Sequence, residues 1–305
     1  MSVNDPLSIR QLEVFVALVE KGSFTRAARH LVLSQSTVSG HMADLERRLG
    51  VRLVERERSG VRPTPAGRAL LVPARQALQA ERGARMAVQE LSGLLRGALV
   101  VGGSTIPASY ILPALFGRFH KEHPGVSLRL LTGDSRDVLE QVRHATIEIG
   151  MIGSAPDASD VRSTKIGEDS LTLVAGIDHP LAGRVQVQAA DLLQYAMVMR
   201  EEGSGTRAAT TQALRKLLGP EGMAKLAIAC EVGSAEAQKA AVREGLGLAF
   251  VSNLAIRDDL SRGNLVALRV RGFDVRRSFH LVSRAEELLS PAAKAFRTLA
   301  IKATG

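Results

Sequence analysis

From Ser23 to Gly50 the chain reads SFTRAARHLVLSQSTVSGHMADLERRLG, and this stretch decides the fold of the N-terminal third. Ser23 is placed to cap a short helix carrying Phe24, Ala27, Ala28 and Leu31. Ser34 is placed to cap a second helix through Val38, Met42, Leu45 and Leu49, which closes at Gly50. Only Val32-Leu33-Ser34 joins the two. A pair of short helices with so tight a connection fits a helix-turn-helix, whose second helix enters the major groove of DNA. Ser34 to Leu49 is then the recognition helix. Its first turn offers Ser34, Gln35, Ser36 and Thr37 to phosphates and base edges, and Gln35 is the side chain able to bond adenine bidentately. Ser39 and His41 follow one turn later. Gly40 is out of place by propensity, since glycine inside a helix costs about 1 kcal/mol and brings no reading side chain.

The flanks extend the same module. Ser8 with Gln11 makes a capping box ahead of Leu12, Phe15, Leu18 and Val19, which share one helical face, and Gly22 ends that helix. After Gly50, Val51 to Arg56, a turn around Ser59-Gly60, and Val61-Arg62-Pro63 read as a small basic hairpin. Arg52, Arg56, Arg58 and Arg62 on it are suited to phosphates, a contribution that weakens steeply with salt. For any single arginine a solvated face explains as much; the ordered set is what favours DNA. Thr64-Pro65 then opens a helix from 65 to about 95. Its apolar positions Ala69, Leu70, Ala77, Leu78, Met86, Leu91, Leu94 and Leu95 would be wet without a second copy, so dimerisation is expected. Pro73 removes a hydrogen bond near its start and is expected to kink it.

Length and charge agree with a small basic module beside a larger domain. The 305 residues are 45% apolar and 23% charged, an ordinary globular balance. The formal charge is +9; residues 1–96 carry 15 basic against 9 acidic side chains, and residues 97–305 carry 25 against 22. The basic excess therefore sits in the first third, where a polyanionic partner is expected. A single cysteine, Cys230, excludes an internal disulfide framework and any multi-cysteine metal site, and reads as a small apolar core residue. No apolar run approaches the roughly 18 residues of a membrane helix, and Met1 to Arg10 lacks the layout of a secretion signal. A cytoplasmic protein without membrane contact is expected. His120 and His123 have metal-like spacing but no third ligand, and flank the Pro124 turn. With no G-x-S-x-G, H-E-x-x-H or P-loop, no enzyme, metal or cofactor is expected.

From Gly97 onward short apolar runs alternate with helical patterns, the mark of βαβ units around a largely parallel sheet. The strands expected are Ala98 to Gly102, Val126 to Leu131, Glu148 to Ile152, Leu171 to Ala175, Met197 to Met199, Gly247 to Val251 and Phe279 to Val282. In such folds ligands bind where strands end and helices begin. Four segments supply these ends: Gly102-Gly-Ser-Thr-Ile, Thr132-Gly-Asp-Ser, Gly203-Ser-Gly-Thr-Arg and Gly233-Ser-Ala-Glu. Ser104, Thr105, Ser135, Ser204, Thr206 and Ser234 would donate hydroxyls, Gly203 would let the backbone approach, and Arg207 would add a charge. No tryptophan and two tyrosines argue against stacking a large aromatic ligand, so a small oxyanion or a short phosphorylated or carboxylated metabolite is favoured.

These residues carry a family resemblance. Ile9-Arg-Gln-Leu-Glu-Val-Phe, Gly22-Ser-Phe-Thr-Arg-Ala-Ala, Leu33-Ser-Gln-Ser-Thr-Val-Ser, Leu45-Glu-Arg-Arg-Leu-Gly and Arg62-Pro-Thr-Pro-Ala-Gly resemble, in order and spacing, the N-terminal signature of LysR-type transcriptional regulators. The resemblance implies an α/β protein with a winged helix-turn-helix at 7–64, a long linker and dimerisation helix at 65–95, and a two-lobed effector domain at 97–305 similar to type 2 periplasmic-binding proteins. From the residues themselves, the DNA contacts expected are Ser34, Gln35, Ser36, Thr37, Ser39, His41, Arg52, Arg56, Arg62 and Thr64. Double-stranded promoter DNA, a small anionic effector and further copies of the chain, as homodimer or homotetramer, are the implied partners. Ser36 stands where many members have proline, and Gly40 where larger residues are common. Arg200-Glu-Glu-Gly-Ser-Gly-Thr-Arg resembles the branch that regulates sulfur, selenium and carbon-fixation genes. The competing reading, a solute-binding or small-molecule enzyme domain with an incidental basic arm, needs an export signal or a catalytic constellation, and the sequence offers neither.

Overall fold

The structure, a computed structural model, describes residues 7–57, 60–90, 95–156 and 160–304. Arg58, Ser59, Leu91 and Leu94 lie outside the described residues. Two compact units divide the chain, residues 1–94 with 144–146 and residues 95–143 with 147–305.

The first unit opens with α1 (Ile9–Lys21), α2 (Phe24–Leu31) and α3 (Gln35–Leu49). The Ser8–Gln11 capping box forms, and Gly22 and Gly50 close α1 and α3 in the left-handed region that glycine occupies without strain. Val32 closes α2 in the same region, at φ 55°, which is unusual for a β-branched residue and fixes the tight turn into α3. Phe15, Leu18, Val38 and Leu45 are fully buried at the centre of the three helices, each contributing about 1.5–3 kcal/mol of transfer free energy. The hairpin β1 (Val54–Glu57) and β2 (Gly60–Pro63) pairs antiparallel. It is held at close range: Val61 N–H donates to the Gly22 carbonyl at 2.9 Å, and a Cβ on Gly67 would collide with the Leu53 carbonyl oxygen.

The helix α4 (Pro65–Glu90) runs unbroken with Pro73 inside it. Pro73 leaves the Ala69 carbonyl without its intrahelical donor, and both residues are exposed, so the freed carbonyl is open to solvent. The dimerisation argument needs a correction. Leu70, Leu71, Ala74, Ala77 and Leu78 pack on the core of α1 to α3, so this part of the apolar stripe is covered within the chain. Val88 is left 70% exposed.

The second unit is built on a seven-stranded sheet in the order β10-β6-β11-β5-β3-β4, with β9 also on β6. One lobe comprises β3 (Gly97–Ser104), α5 (Thr105–Tyr110), α6 (Leu112–Glu122), β4 (Val126–Gly133), α7 (Ser135–Arg143) and β5 (Ile149–Ile152). The strand β6 (Arg162–Ala175) then leads into the other lobe, with β7 (Met197–Arg200), α8 (Gly205–Lys225), β8 (Ile228–Val232), α9 (Ala235–Arg243), β9 (Ala249–Ser252), α10 (Asn253–Ser261) and β10 (Val266–Leu268). β11 (Val275–Ser283) returns along β6, and α11 (Pro291–Thr304) closes the unit. Each of the seven expected runs overlaps a strand, with Glu148 falling outside β5 and Gly247 and Leu248 outside β9; β8 and β10 were not expected.

The expectation of a largely parallel sheet does not hold. β3 pairs parallel with β4 and β5, but β11 with β5 and β6, and β6 with β9 and β10, are antiparallel. The long strands β6 and β11 run opposite ways through both lobes, and alternating helices in the sequence carry no record of that direction. Inside α8, Gly219 at φ 67° and ψ 178° breaks the helix just before Pro220.

Candidate functional site

In the N-terminal unit the first turn of α3 is an exposed polar cluster. Ser34 caps the helix, its Oγ accepting from Thr37 N–H at 3.0 Å and lying 2.7 Å from both Ser36 Oγ and Thr37 Oγ1. Gln35 is exposed, and its Oε1 accepts from Thr25 Oγ1 on α2 at 3.3 Å. Ser39 and His41 diverge, because two residues at 100° each turn them about 200° apart. Ser39 lines a groove of about 530 Å³ between α3 and the hairpin, with Phe24, Met42, Glu46, Arg52 and Arg56. His41 faces the opposite flank.

The hairpin is fixed against that groove. Glu46, one turn from the end of α3, accepts from Leu53 and Val54 N–H at 2.7 and 3.2 Å. The Arg56 guanidinium lies 4.3 Å over the Phe24 ring. Arg62 is 70% exposed and 3.3 Å from Glu57, while Arg52 is exposed. Thr64 stands apart from this group: it is buried, donates to the Arg52 carbonyl at 2.8 Å and accepts from Gly67 N–H at 3.0 Å. Its hydroxyl is spent on joining the hairpin to α4.

In the second unit the four strand-end segments converge. A Cβ on Gly205 would lie 2.8 Å from the Gly153 carbonyl and 3.2 Å from Ser135 Oγ, and one on Gly203 would strike the Asp134 carboxylate. At Gly205 the obstacle is backbone, so only glycine fits there, whereas at Gly203 the Asp134 side chain would have to turn away; the turn before α8 rests directly on the β4–α7 turn of the other lobe. Ser104, Ser135, Ser204 and Thr206 are buried there, and Ser204 and Ser234 cap α8 and α9. Arg207 points elsewhere, donating to the Arg200 carbonyl at 2.7 Å and to Glu231.

Two arginines that sequence reasoning missed lie where these segments meet. Arg277 on β11 sits opposite Asp169 on β6, donating to its Oδ2 through Nε and Nη2 at 2.8 and 2.7 Å and to Thr206 Oγ1 through Nη1 at 2.8 Å. Burial pulls its pKa below the ordinary range, and Asp169 opposes that shift. Arg200 ends β7 and reaches Thr105 Oγ1 of the other lobe at 3.1 Å. A signal for each was present. Arg277 falls on the inward phase of the Val275, Phe279, Leu281 alternation, and Arg200 directly follows an apolar strand.

Elsewhere, Cys230 is half-buried on β8, and His123 ends α6 with its ring 4.7 Å from that of Phe119. Among the described residues no group of three or more His, Cys, Asp or Glu could hold a metal, and no helix is long and apolar enough to cross a membrane.

Known proteins resemble both parts of the chain. Residues 9–68 match the model of the bacterial regulatory helix-turn-helix protein, lysR family, and residues 92–304 match that of the LysR substrate binding domain. The chain is 37% identical over 292 residues to the RuBisCO operon transcriptional regulator of Allochromatium vinosum, covering 95% of this chain and 94% of that one. Its fold resembles a full-length OxyR variant from Pseudomonas aeruginosa at a TM-score of 0.75 and 22% identity, over 97% of this chain and 94% of the other. The regulatory domain of Synechocystis PCC6803 CcmR in complex with 2-PG is 25% identical with a TM-score of 0.60, over 68% of this chain and 98% of that domain.

Proposed function

The chain belongs to the LysR family, a DNA-binding transcriptional regulator with an effector-binding domain and no enzyme, and from that premise we propose which residues carry each part. The observation that carries the DNA reading is the exposed Ser34–Thr37 turn at the head of α3 beside a hairpin bearing Arg52, Arg56 and Arg62. Gln35, Ser36, Thr37 and Ser39 read base edges, with His41 on the flank, and the hairpin arginines contact phosphates. Thr64 supports the hairpin and leaves recognition to the exposed residues.

The effector site is the cleft where Ser104, Thr105, Ser135, Gly203, Ser204, Thr206 and Ser234 meet, with Arg207 bracing the backbone at its rim. Its donors and buried cations favour a small anion, the class to which the 2-PG of the CcmR complex belongs. Carbon-fixation genes are the target class suggested by the RuBisCO operon regulator. A cytoplasmic homodimer, or a pair of dimers, places recognition helices on an inverted repeat. An effector then shifts the arrangement of those helices to the extent that it prefers one state.

A gel shift with the gene's upstream DNA at several salt concentrations tests this. Gln35→Ala is expected to relax preference at particular bases, and Arg52→Ala to weaken binding on every sequence and lower the salt slope by about 1. Equal losses for both variants on specific and random DNA would refute the roles. Folded protein with no retained band at moderate salt would count against DNA binding by this unit.

A further inference from the structure

The inference rests on the reading of the cleft as an effector site and names the group that reads the effector's charge. The Arg200 side chain is 1% exposed. Its Nε and Nη2 fork onto Glu201 at 2.7 and 2.6 Å, and Nη2 also donates to Thr105 Oγ1 and, at 3.3 Å, to the Gly233 carbonyl. The other terminal nitrogen, Nη1, is buried and has no hydrogen-bond partner among the described residues. Buried donors are nearly always satisfied, so an open one on a rigidly held guanidinium asks for an acceptor. Arg277 differs, since Asp169 and Thr206 take all three of its nitrogens.

The surroundings specify the acceptor. Arg200 joins Thr105 of one lobe to Gly233 of the other, where the hydroxyl-bearing helix starts converge. The positive charges of Arg200 and Arg277 also disfavour each other, so an anion beside them relieves a repulsion as well as filling a donor. We propose that Arg200 Nη1 binds an oxyanion group of the effector, a phosphate, sulfate or carboxylate, while Glu201 holds the guanidinium in place and offsets its charge. Glu201 occupies the side-on edge, which leaves the end-on nitrogen for the ligand. The site is thereby set to take an anion without expelling its own carboxylate.

The test uses the full chain and titration calorimetry at fixed ionic strength, with sulfate, inorganic phosphate, glycolate and 2-phosphoglycolate as probes. At least one oxyanion is expected to bind the wild-type protein, and comparing the four separates phosphate, sulfate and carboxylate. Arg200→Gln is expected to weaken that probe about 10- to 100-fold, the loss of a charge-assisted hydrogen bond in a dry site. Glu201→Gln keeps an acceptor for the fork and removes the opposing charge, so it is expected to tighten the same probe several-fold. A purely structural role for the pair predicts weakening in both. Wild-type affinity in Arg200→Gln, or weaker binding in Glu201→Gln, overturns the assignment. If Arg200→Gln does not fold, Glu201→Gln decides alone. A wild-type protein that binds none of the four overturns the anionic-effector reading, and this assignment with it.

Discussion

Replacing Asp169 by Leu leaves Arg277 charged, 5% exposed, and without the carboxylate that takes two of its three bonded nitrogens. A buried cation stripped of its partner costs about 3–5 kcal/mol. Arg277→Met makes the reciprocal error, stranding a carboxylate that is 1% exposed, at a similar cost. The double variant Asp169→Leu/Arg277→Met strands only the Thr206 hydroxyl, and is expected to lie within about 1.5 kcal/mol of the wild type. The pair therefore couples by about 5 kcal/mol or more while adding little net stability. Urea unfolding followed by circular dichroism measures this. With a slope of about 3 kcal/mol per molar, each single variant lowers the midpoint of the second unit by about 1–1.7 M and the double by less than about 0.5 M. Single losses below about 1 kcal/mol, or a double loss equal to the sum, would refute the argument and mean that water reaches Arg277.

Gly40 is exposed in the middle of α3 and a Cβ there meets nothing within 4 Å, so Gly40→Ala is expected to stabilise the N-terminal unit by about 0.5–1 kcal/mol, read as a higher melting temperature. A lower melting temperature would show that the glycine is needed by the fold itself. Gly67→Ala is expected to destabilise the same unit by more than about 1 kcal/mol and to weaken DNA binding, because its Cβ collides with the Leu53 carbonyl that the hairpin cannot move cheaply. Unchanged melting would refute it. Acid is expected to destabilise the second unit: burial holds His179 below its usual 6.5, and burial with Lys165 does the same for His280, so unfolded chains bind more protons as pH falls. This stability is full above about pH 6.5 and is lost as pH drops through the lowered values; His280→Gln should flatten part of the slope in melts from about pH 7.5 to 5.

What was legible in the sequence was whatever local chemistry encodes. Caps at Ser8 and Ser34, glycines at 22 and 50 and the apolar spacing of Phe15, Leu18, Val38 and Leu45 gave α1 to α3 nearly to the residue. Strand direction was not legible, because β6 and β11 meet across roughly a hundred residues and nothing local records which way a strand runs. The cleft was half legible. Glycines and hydroxyls at strand ends marked its walls, but Arg277 with Asp169, 108 residues apart, and Arg200 with Thr105, 95 apart, became partners only in the folded chain. The same limit explains the linker: the stripe of α4 looked unpartnered because its cover, α1, lies far back along the chain.

The lobes of the second unit share β6 and β11, and these strands are in register from Val275 opposite Leu171 to Ser283 opposite Arg162, with one irregularity at Phe279/His280. There Phe279 faces Gly167 and His280 faces Lys165, which leaves Ile166 as the extra residue. Sliding one lobe along the other would break the whole ladder together, whereas an inserted residue lets the two strands bend and twist at little cost. Between the two lobes, then, the ladder resists sliding along its whole length and yields to bending at a single crease.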